Sequence, residues 1–67
     1  MITVTINGEL REFEHPLPVS QLVERLGLAG KRIAVERNGE IVPRSLLGAS
    51  SIAHGDRLEI VVAVGGG

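Results

Sequence analysis

The sequence predicts an α+β fold in which a mixed sheet of four or five strands carries one helix across one face. Short apolar runs that are typical of strands stand at both ends of the chain and in its middle. Between them lies a single apolar stripe with helical spacing. Since 67 residues allow only one domain, these elements must share one core.

The first element is a half-buried strand in MITVTI, where three apolar residues alternate with threonines: Ile2, Val4 and Ile6. Asn7–Gly8 follows, and this pair strongly favours a hairpin because both residues tolerate positive φ. ELREFE is the returning strand. Its apolar residues Leu10 and Phe13 are three positions apart, so strict alternation fails and we expect a bulge or an early end there.

The helix is predicted from four apolar residues at positions i, i+3, i+4 and i+7: Val19, Leu22, Val23 and Leu26. Pro18 is suited to its first turn. Gly27 is a suitable C-terminal stop, and Leu28 is placed to fold back onto the helix.

A second Asn-Gly pair, Asn38–Gly39, joins two strand-like runs, and Pro43 restricts the second run to a sheet edge. The following segment, SLLGASSIAHGD, predicts a turn or 3₁₀ piece that covers the core with Leu46, Leu47 and Ile52.

The last strand, RLEIVVAV, is the most apolar, so we expect it at the sheet centre, parallel to the first strand. One face of this strand carries Leu58, Ile60, Val62 and Val64. The last residues on its other face are Val61 and Ala63, which are also apolar. This order of elements is the β-grasp, or ubiquitin-like, arrangement. We expect a β-grasp domain over residues 1–64 and a flexible glycine tail over 65–67.

Composition argues against several classes of function. The net charge is −1, the basic residues are scattered, and Phe13 is the single aromatic residue, so nucleic-acid binding is not expected. No apolar run approaches the roughly 20 residues of a membrane span, and we expect a cytoplasmic protein. The histidines, His15 and His54, lack a cysteine or a suitable base nearby. We therefore expect that the protein has no catalytic residue and no metal site, and that it is not an enzyme.

The glycine tail, Gly65, Gly66 and Gly67, is the remaining candidate for chemistry. Three extended residues span about 10 Å, and residues without Cβ can enter a narrow active site of another protein. An ATP-using partner could convert the terminal carboxylate into an acyl-adenylate. The alternative is a frayed chain end.

The sequence resembles the ThiS family, the ubiquitin-like sulfur carriers of thiamine biosynthesis. The resemblance covers essentially the whole chain and rests on INGE, VSQLVERLGL, AVERNGEIVPR and GDRLEIVVAVGGG. It implies that an E1-like adenylyltransferase adenylates the Gly67 carboxylate with ATP. A sulfur atom from a persulfide donor would then displace AMP, so that Gly67 ends in a thiocarboxylate. Thiazole synthase would take that sulfur. Gly66 and Gly67 match the family's di-glycine, and no bound cofactor is implied.

Two readings of the last strand remain open. Val61 and Ala63 are either covered by a neighbouring loop or form a small exposed patch on which the adenylating enzyme docks. Arg44 is a further candidate for the rim of such a surface. Three alternative functions also remain open. The chain could be the small subunit of molybdopterin synthase, a ubiquitin-like modifier whose tail is joined to lysines of other proteins, or a β-grasp binding module with inert glycines.

Overall fold

A computed structural model describes residues 1–63 of the chain. The elements, in chain order, are β1 (Ile2–Ile6), β2 (Glu9–Phe13), α1 (Val19–Arg25), β3 (Ile33–Arg37), β4 (Glu40–Val42), a 3₁₀ turn (Arg44–Leu46) and β5 (Arg57–Val62). The strands form one sheet in the order β2-β1-β5-β3-β4. The predicted α+β, β-grasp architecture is confirmed, with five strands. Val64 and the glycine tail lie outside the described residues, so the domain boundary after residue 64 stays a prediction.

The most apolar strand, β5, lies at the centre of the sheet as predicted. It runs parallel to β1, with Thr5 opposite Arg57 and Ile6 opposite Leu58. On its other side it runs antiparallel to β3, from Ile33 opposite Val62 to Arg37 opposite Leu58. No helix within residues 1–63 has the length and apolar character needed to cross a bilayer.

Both Asn-Gly pairs form the tight hairpin turns that the sequence predicts. Asn7 and Gly8 have φ of 51° and 84°, and Asn38 and Gly39 have φ of 52° and 87°. Two successive positive φ values characterise the type I′ turn, whose twist matches that of the strands it joins. These turns bring β2 and β4 back to the two outer positions of the sheet, where Pro43 ends β4.

The expectation of a bulge or an early end in β2 is wrong. The β1–β2 register is continuous from Ile2 opposite Phe13 to Ile6 opposite Glu9. Because side chains alternate along a strand, the spacing of three places Leu10 and Phe13 on opposite faces. Phe13 packs against the core, whereas Leu10 is 76% exposed on the face away from the helix.

The helix follows the predicted stripe. Its buried residues are Val19, Leu22 and Val23, and Pro18 stands at its N-cap position. At the other end, the Gly27 N–H donates to the Glu24 carbonyl and the Leu28 N–H to the Val23 carbonyl, both at 3.0 Å. This is the Schellman pattern, and the φ of 75° at Gly27 is why glycine suits that position.

The core lies between α1 and one face of the sheet, and is completed by the segment after β4. Ile52 is fully buried there and Leu47 packs partly against the core, as expected. Leu46 is 48% exposed, so its predicted place in the core is wrong. It belongs to the 3₁₀ turn, whose short helical path directs Leu47 rather than Leu46 inward.

Candidate functional site

The site expected from the sequence begins where β5 ends, because this strand leads into the tail. β5 is paired with β3 as far as Val62, and the Ala63 N–H continues the ladder by donating to the Arg32 carbonyl at 2.8 Å. The last described residue is therefore still held by the sheet. The tail residues Gly65, Gly66 and Gly67 lie outside the described residues, and their roles stay predictions.

The side chain of Asn7 secures β5 on its other side. Its Oδ1 accepts a hydrogen bond from the Ile60 N–H at 2.8 Å, and its Nδ2 donates to the Ile60 carbonyl at 3.0 Å. The Asn7 backbone N–H also donates to the Leu58 carbonyl at 2.9 Å. One amide side chain thus acts as a further rung of the parallel β1–β5 ladder beyond Ile6.

The start of β5 is anchored by a buried carboxylate. Asp56 is 8% exposed. Its Oδ2 accepts from the Ala53 N–H at 2.8 Å and from Arg37 Nε at 2.9 Å, and its Oδ1 accepts from Asn38 Nδ2 at 3.1 Å. Asp56 is the residue just before β5, and its carboxylate thereby ties the start of that strand to Arg37 and Asn38 at the β3–β4 hairpin.

These contacts determine the charge state of Asp56. Burial alone would raise its pKa, but the hydrogen bonds from the Ala53 backbone and Asn38 and the Arg37 guanidinium together hold the pKa below its ordinary value. Asp56 is thus an ionised structural anchor. The sequence showed it only as a turn residue, and no local pattern indicates its partners, which are 3 to 19 positions away.

The end of β5 presents apolar residues to the surroundings. Val61 is 59% exposed and Ala63 is exposed as well. Val61 stands opposite Ala34, also exposed, on the sheet face that α1 does not cover. The reading in which a loop covers Val61 and Ala63 is therefore wrong, and they belong to a small exposed patch next to the tail.

The structure does not bring Arg44 into this patch. Arg44 lines a groove of about 380 Å³ on the helix side of the sheet, together with Lys31, Leu28 and Leu47. Ile33, which stands opposite Val62, lines the same groove. Arg44 thus approaches the end of β5 from the face opposite Val61, so the two residues cannot belong to one flat docking surface.

The two histidines lie apart, and only His54 bonds to another element. His54 Nδ1 accepts a hydrogen bond from the Thr3 N–H at 3.0 Å, and His15 lies on the surface beside Pro16. Within the part of the chain that the structure describes, no three histidine, aspartate or glutamate side chains are grouped to hold a metal ion.

The comparisons with known proteins bear on the whole chain, including its end. The model of the ThiS family matches residues 4–67. The chain belongs to the ThiS family. The match runs through the glycine tail, so the family resemblance inferred from the sequence motifs is confirmed over both the fold and the chain end.

Solved structures agree with this membership. The crystal structure of the thiamine biosynthesis protein ThiS from Geobacter metallireducens superposes with a TM-score of 0.84 at 30% identity, covering 98% of this chain and 100% of that one. A solution structure of a thiamine biosynthesis protein from the same organism gives a TM-score of 0.80.

Curated relatives are of two kinds. A thiazole synthase from Paramagnetospirillum magneticum is 45% identical over 64 residues, and this ThiS-family chain spans 20% of that protein's length. The uncharacterized protein ycf40 of Porphyra purpurea is 36% identical over 66 residues, which are 93% of its length. Regions similar to this chain thus occur within a longer protein as well as in one of similar size.

Proposed function

We propose that this chain is a sulfur carrier for thiamine biosynthesis whose reactive group is the carboxylate of Gly67. The single observation that carries the proposal is that the ThiS family model matches the chain through residue 67. The fold supports it, because β5, which is paired with a strand on each side, ends only two residues before the glycines. The chain is then a substrate and carrier for other enzymes and has no active site of its own.

The proposed chemistry begins with activation, because a carboxylate resists nucleophilic attack until it gains a leaving group. An E1-like adenylyltransferase joins the Gly67 carboxylate to the AMP part of ATP and releases pyrophosphate. The terminal sulfur of a persulfide donor displaces AMP, and a thiol then cleaves the S–S bond, leaving a thiocarboxylate and a disulfide. No cysteine in this chain is required, and there is none. Because the activation step consumes ATP, we propose that the carrier works in the cytoplasm.

Thiazole synthase is the proposed acceptor of the sulfur. The support comes from the Paramagnetospirillum magneticum protein of that name, one fifth of which is similar to this chain. A second thiazole synthase, from Magnetococcus marinus, is 36% identical to this chain over 64 residues. A carrier and the enzyme that uses its cargo must meet in every cycle, so a shared polypeptide would favour their encounter.

The exposed patch of Val61 and Ala63 is the proposed docking surface for the adenylating enzyme. Both residues lie within six positions of Gly67, so a protein that holds the tail passes close to them. Apolar side chains exposed beside a reactive end gain free energy when a partner buries them. Arg44 would contribute only to a partner that also reaches the helix side.

The proposal is tested by ATP–pyrophosphate exchange with the cognate adenylyltransferase. The full chain should support exchange, and a variant that lacks Gly66 and Gly67 should not, while its circular dichroism and melting temperature stay those of the full chain. Met1, which is 81% exposed, offers a matched control, since its removal trims the other end and should leave exchange intact. Full exchange from the chain without Gly66 and Gly67 would overturn the proposal.

A further inference from the structure

We infer that the backbone edge of β5 at Val62, on the side facing β1, is a strand-docking site for the adenylating enzyme. The inference rests on the proposed function and adds how that enzyme holds the carrier: an extended segment of the enzyme continues the line of β1 and pairs with β5 where β1 has ended.

The direction of the Val62 backbone groups follows from the β3–β5 ladder. In an antiparallel pair, residues alternate between those that exchange hydrogen bonds with the partner strand and those that face away from it. The Ala63 N–H donates to the carbonyl of Arg32, the residue just before β3. At the other end, the Arg57 carbonyl accepts from the N–H of Asn38, the residue just after β3. Odd-numbered residues of β5 therefore bond toward β3, and the N–H and C=O of Val62 point toward β1.

On the β1 side, pairing stops before Val62 is reached. The last paired residue of β1 is Ile6, opposite Leu58, and the Asn7 side chain then binds both backbone groups of Ile60. The next backbone N–H and C=O of β5 that point toward the β1 side are those of Val62. Within residues 1–63 nothing pairs with its N–H or its C=O on this side, since the chain turns away into β2 at Asn7–Gly8.

This edge is bordered by exposed apolar side chains. Val62 is itself 42% exposed, and its neighbour Val61 is 59% exposed. A free edge with exposed aliphatic side chains is the feature that strand addition uses: the backbone supplies hydrogen bonds, and the alternate side chains supply contact area.

The adenylating enzyme is the occupant that this position fits. From Val62, five residues lead to Gly67 and span at most about 17 Å when extended. Backbone pairing at Val62 would set the register of the tail, so the terminal carboxylate would reach a fixed depth in the enzyme's ATP site.

The first test measures amide hydrogen exchange by NMR in the wild-type chain, alone and with the cognate adenylyltransferase and a non-hydrolysable ATP analogue. In the free chain the Ile60 amide should be protected by Asn7, and the Val62 amide should exchange rapidly. With the enzyme present, protection of the Val62 amide should rise at least about 10-fold. An unchanged Val62 amide in a complex that forms would overturn the inference.

The second test uses two substitutions at the same position. Val62→Pro removes the outward-facing N–H without removing a β3 hydrogen bond, whereas Val62→Ala shortens the side chain and keeps the N–H. Val62→Pro should weaken enzyme binding at least about 10-fold, and Val62→Ala less than about 3-fold. Equal affinities for the two variants would contradict strand pairing.

The outcomes separate this inference from the proposed function. If the wild-type chain supports ATP–pyrophosphate exchange while Val62 gains no protection, the docking mode is wrong and the sulfur-carrier function stands. If the wild-type chain supports no exchange, both are overturned. If the Val62 amide is protected in the free chain, increasingly so at higher protein concentration, the occupant is a second copy of this chain and the inference is likewise wrong.

Discussion

Replacement of Asp56 by asparagine is expected to destabilise the fold by about 3 kcal/mol. The Oδ2 atom of Asp56 accepts from two donors, Ala53 N–H and Arg37 Nε. Both oxygens of Asp56 face hydrogen-bond donors, whereas an asparagine has one oxygen and one NH₂ group. Its NH₂ group must therefore face either the Ala53 and Arg37 donors or, in the flipped orientation, the Asn38 Nδ2 donor. Hydrogen bonds to a charged group contribute about 1.5–3 kcal/mol each, so the loss of one or two of them accounts for the magnitude.

This loss is large for a domain of this size. About 0.05–0.15 kcal/mol per residue gives a total free energy of unfolding of roughly 3–10 kcal/mol for 67 residues. At about 4–8 °C per kcal/mol, the melting temperature of the Asp56→Asn variant should fall by roughly 12–24 °C. Glu40→Gln, an exposed carboxylate on β4, is the matched control and should change the free energy of unfolding by less than about 0.5 kcal/mol.

The pH dependence gives the same test a second readout. The Asp56 pKa is lower in the folded protein than its ordinary value of 3.8, so in acid the unfolded chain binds a proton before the folded chain does. The stabilisation by Asp56 is therefore fully present above about pH 5 and declines as the pH falls through 3.8 toward the folded pKa. The stability difference between wild type and Asp56→Asn should narrow over that range.

Urea denaturation followed by circular dichroism at several pH values measures these quantities. A free energy of unfolding for Asp56→Asn within about 1 kcal/mol of wild type at neutral pH would refute the reasoning. So would a difference between the two proteins that stays constant down to the acid transition, because the lowered pKa would then contribute nothing to stability.

Three further substitutions test other contacts. Asn7→Gly keeps the positive φ of the turn but removes both side-chain bonds to the Ile60 backbone, so the free energy of unfolding should fall by about 1–2 kcal/mol; an unchanged urea midpoint would contradict the role of Asn7 as a ladder rung. Glu59 stands directly opposite Glu36, so Glu59→Gln should stabilise the fold by about 0.2–1 kcal/mol, and the gain should shrink at high salt. Val61→Asp should weaken binding to the adenylating enzyme about 10-fold or more, measured by calorimetry, a loss of about 1.4 kcal/mol. Leu10→Asp, on the same sheet face but on an outer strand, should leave that affinity unchanged.

Local signals in the sequence were sufficient for most of the architecture. The two Asn-Gly pairs adopt the positive φ values that their residue types favour, and the Gly27 stop needs no distant contact. The central position of β5 was predictable because it is the most apolar strand, and a central strand is shielded from water along both of its edges. These predictions succeeded because each depends on residues close together in the chain.

The failures arise where distant residues decide. A bulge or an early end was expected in β2 because Leu10 and Phe13 are three positions apart. The continuous register with β1 instead places Leu10 on the outer face of the sheet. Leu17 is buried, with 3% exposed, although a lone leucine between two prolines has no period to indicate burial. The bonds of Asn7 to Ile60 span 53 positions, so no local pattern could show that this turn residue secures the strand leading to the tail.

The most direct test of the sulfur-carrier function is the intact mass of the chain after incubation with its adenylyltransferase, ATP and a persulfide donor. We expect a product heavier by the exchange of one oxygen for one sulfur atom, localised to Gly67 by fragmentation, and sensitive to addition of thiazole synthase with its other substrates. An unchanged mass, sulfur on any other residue, or isopeptide-linked conjugates to lysines in place of the thiocarboxylate would contradict it.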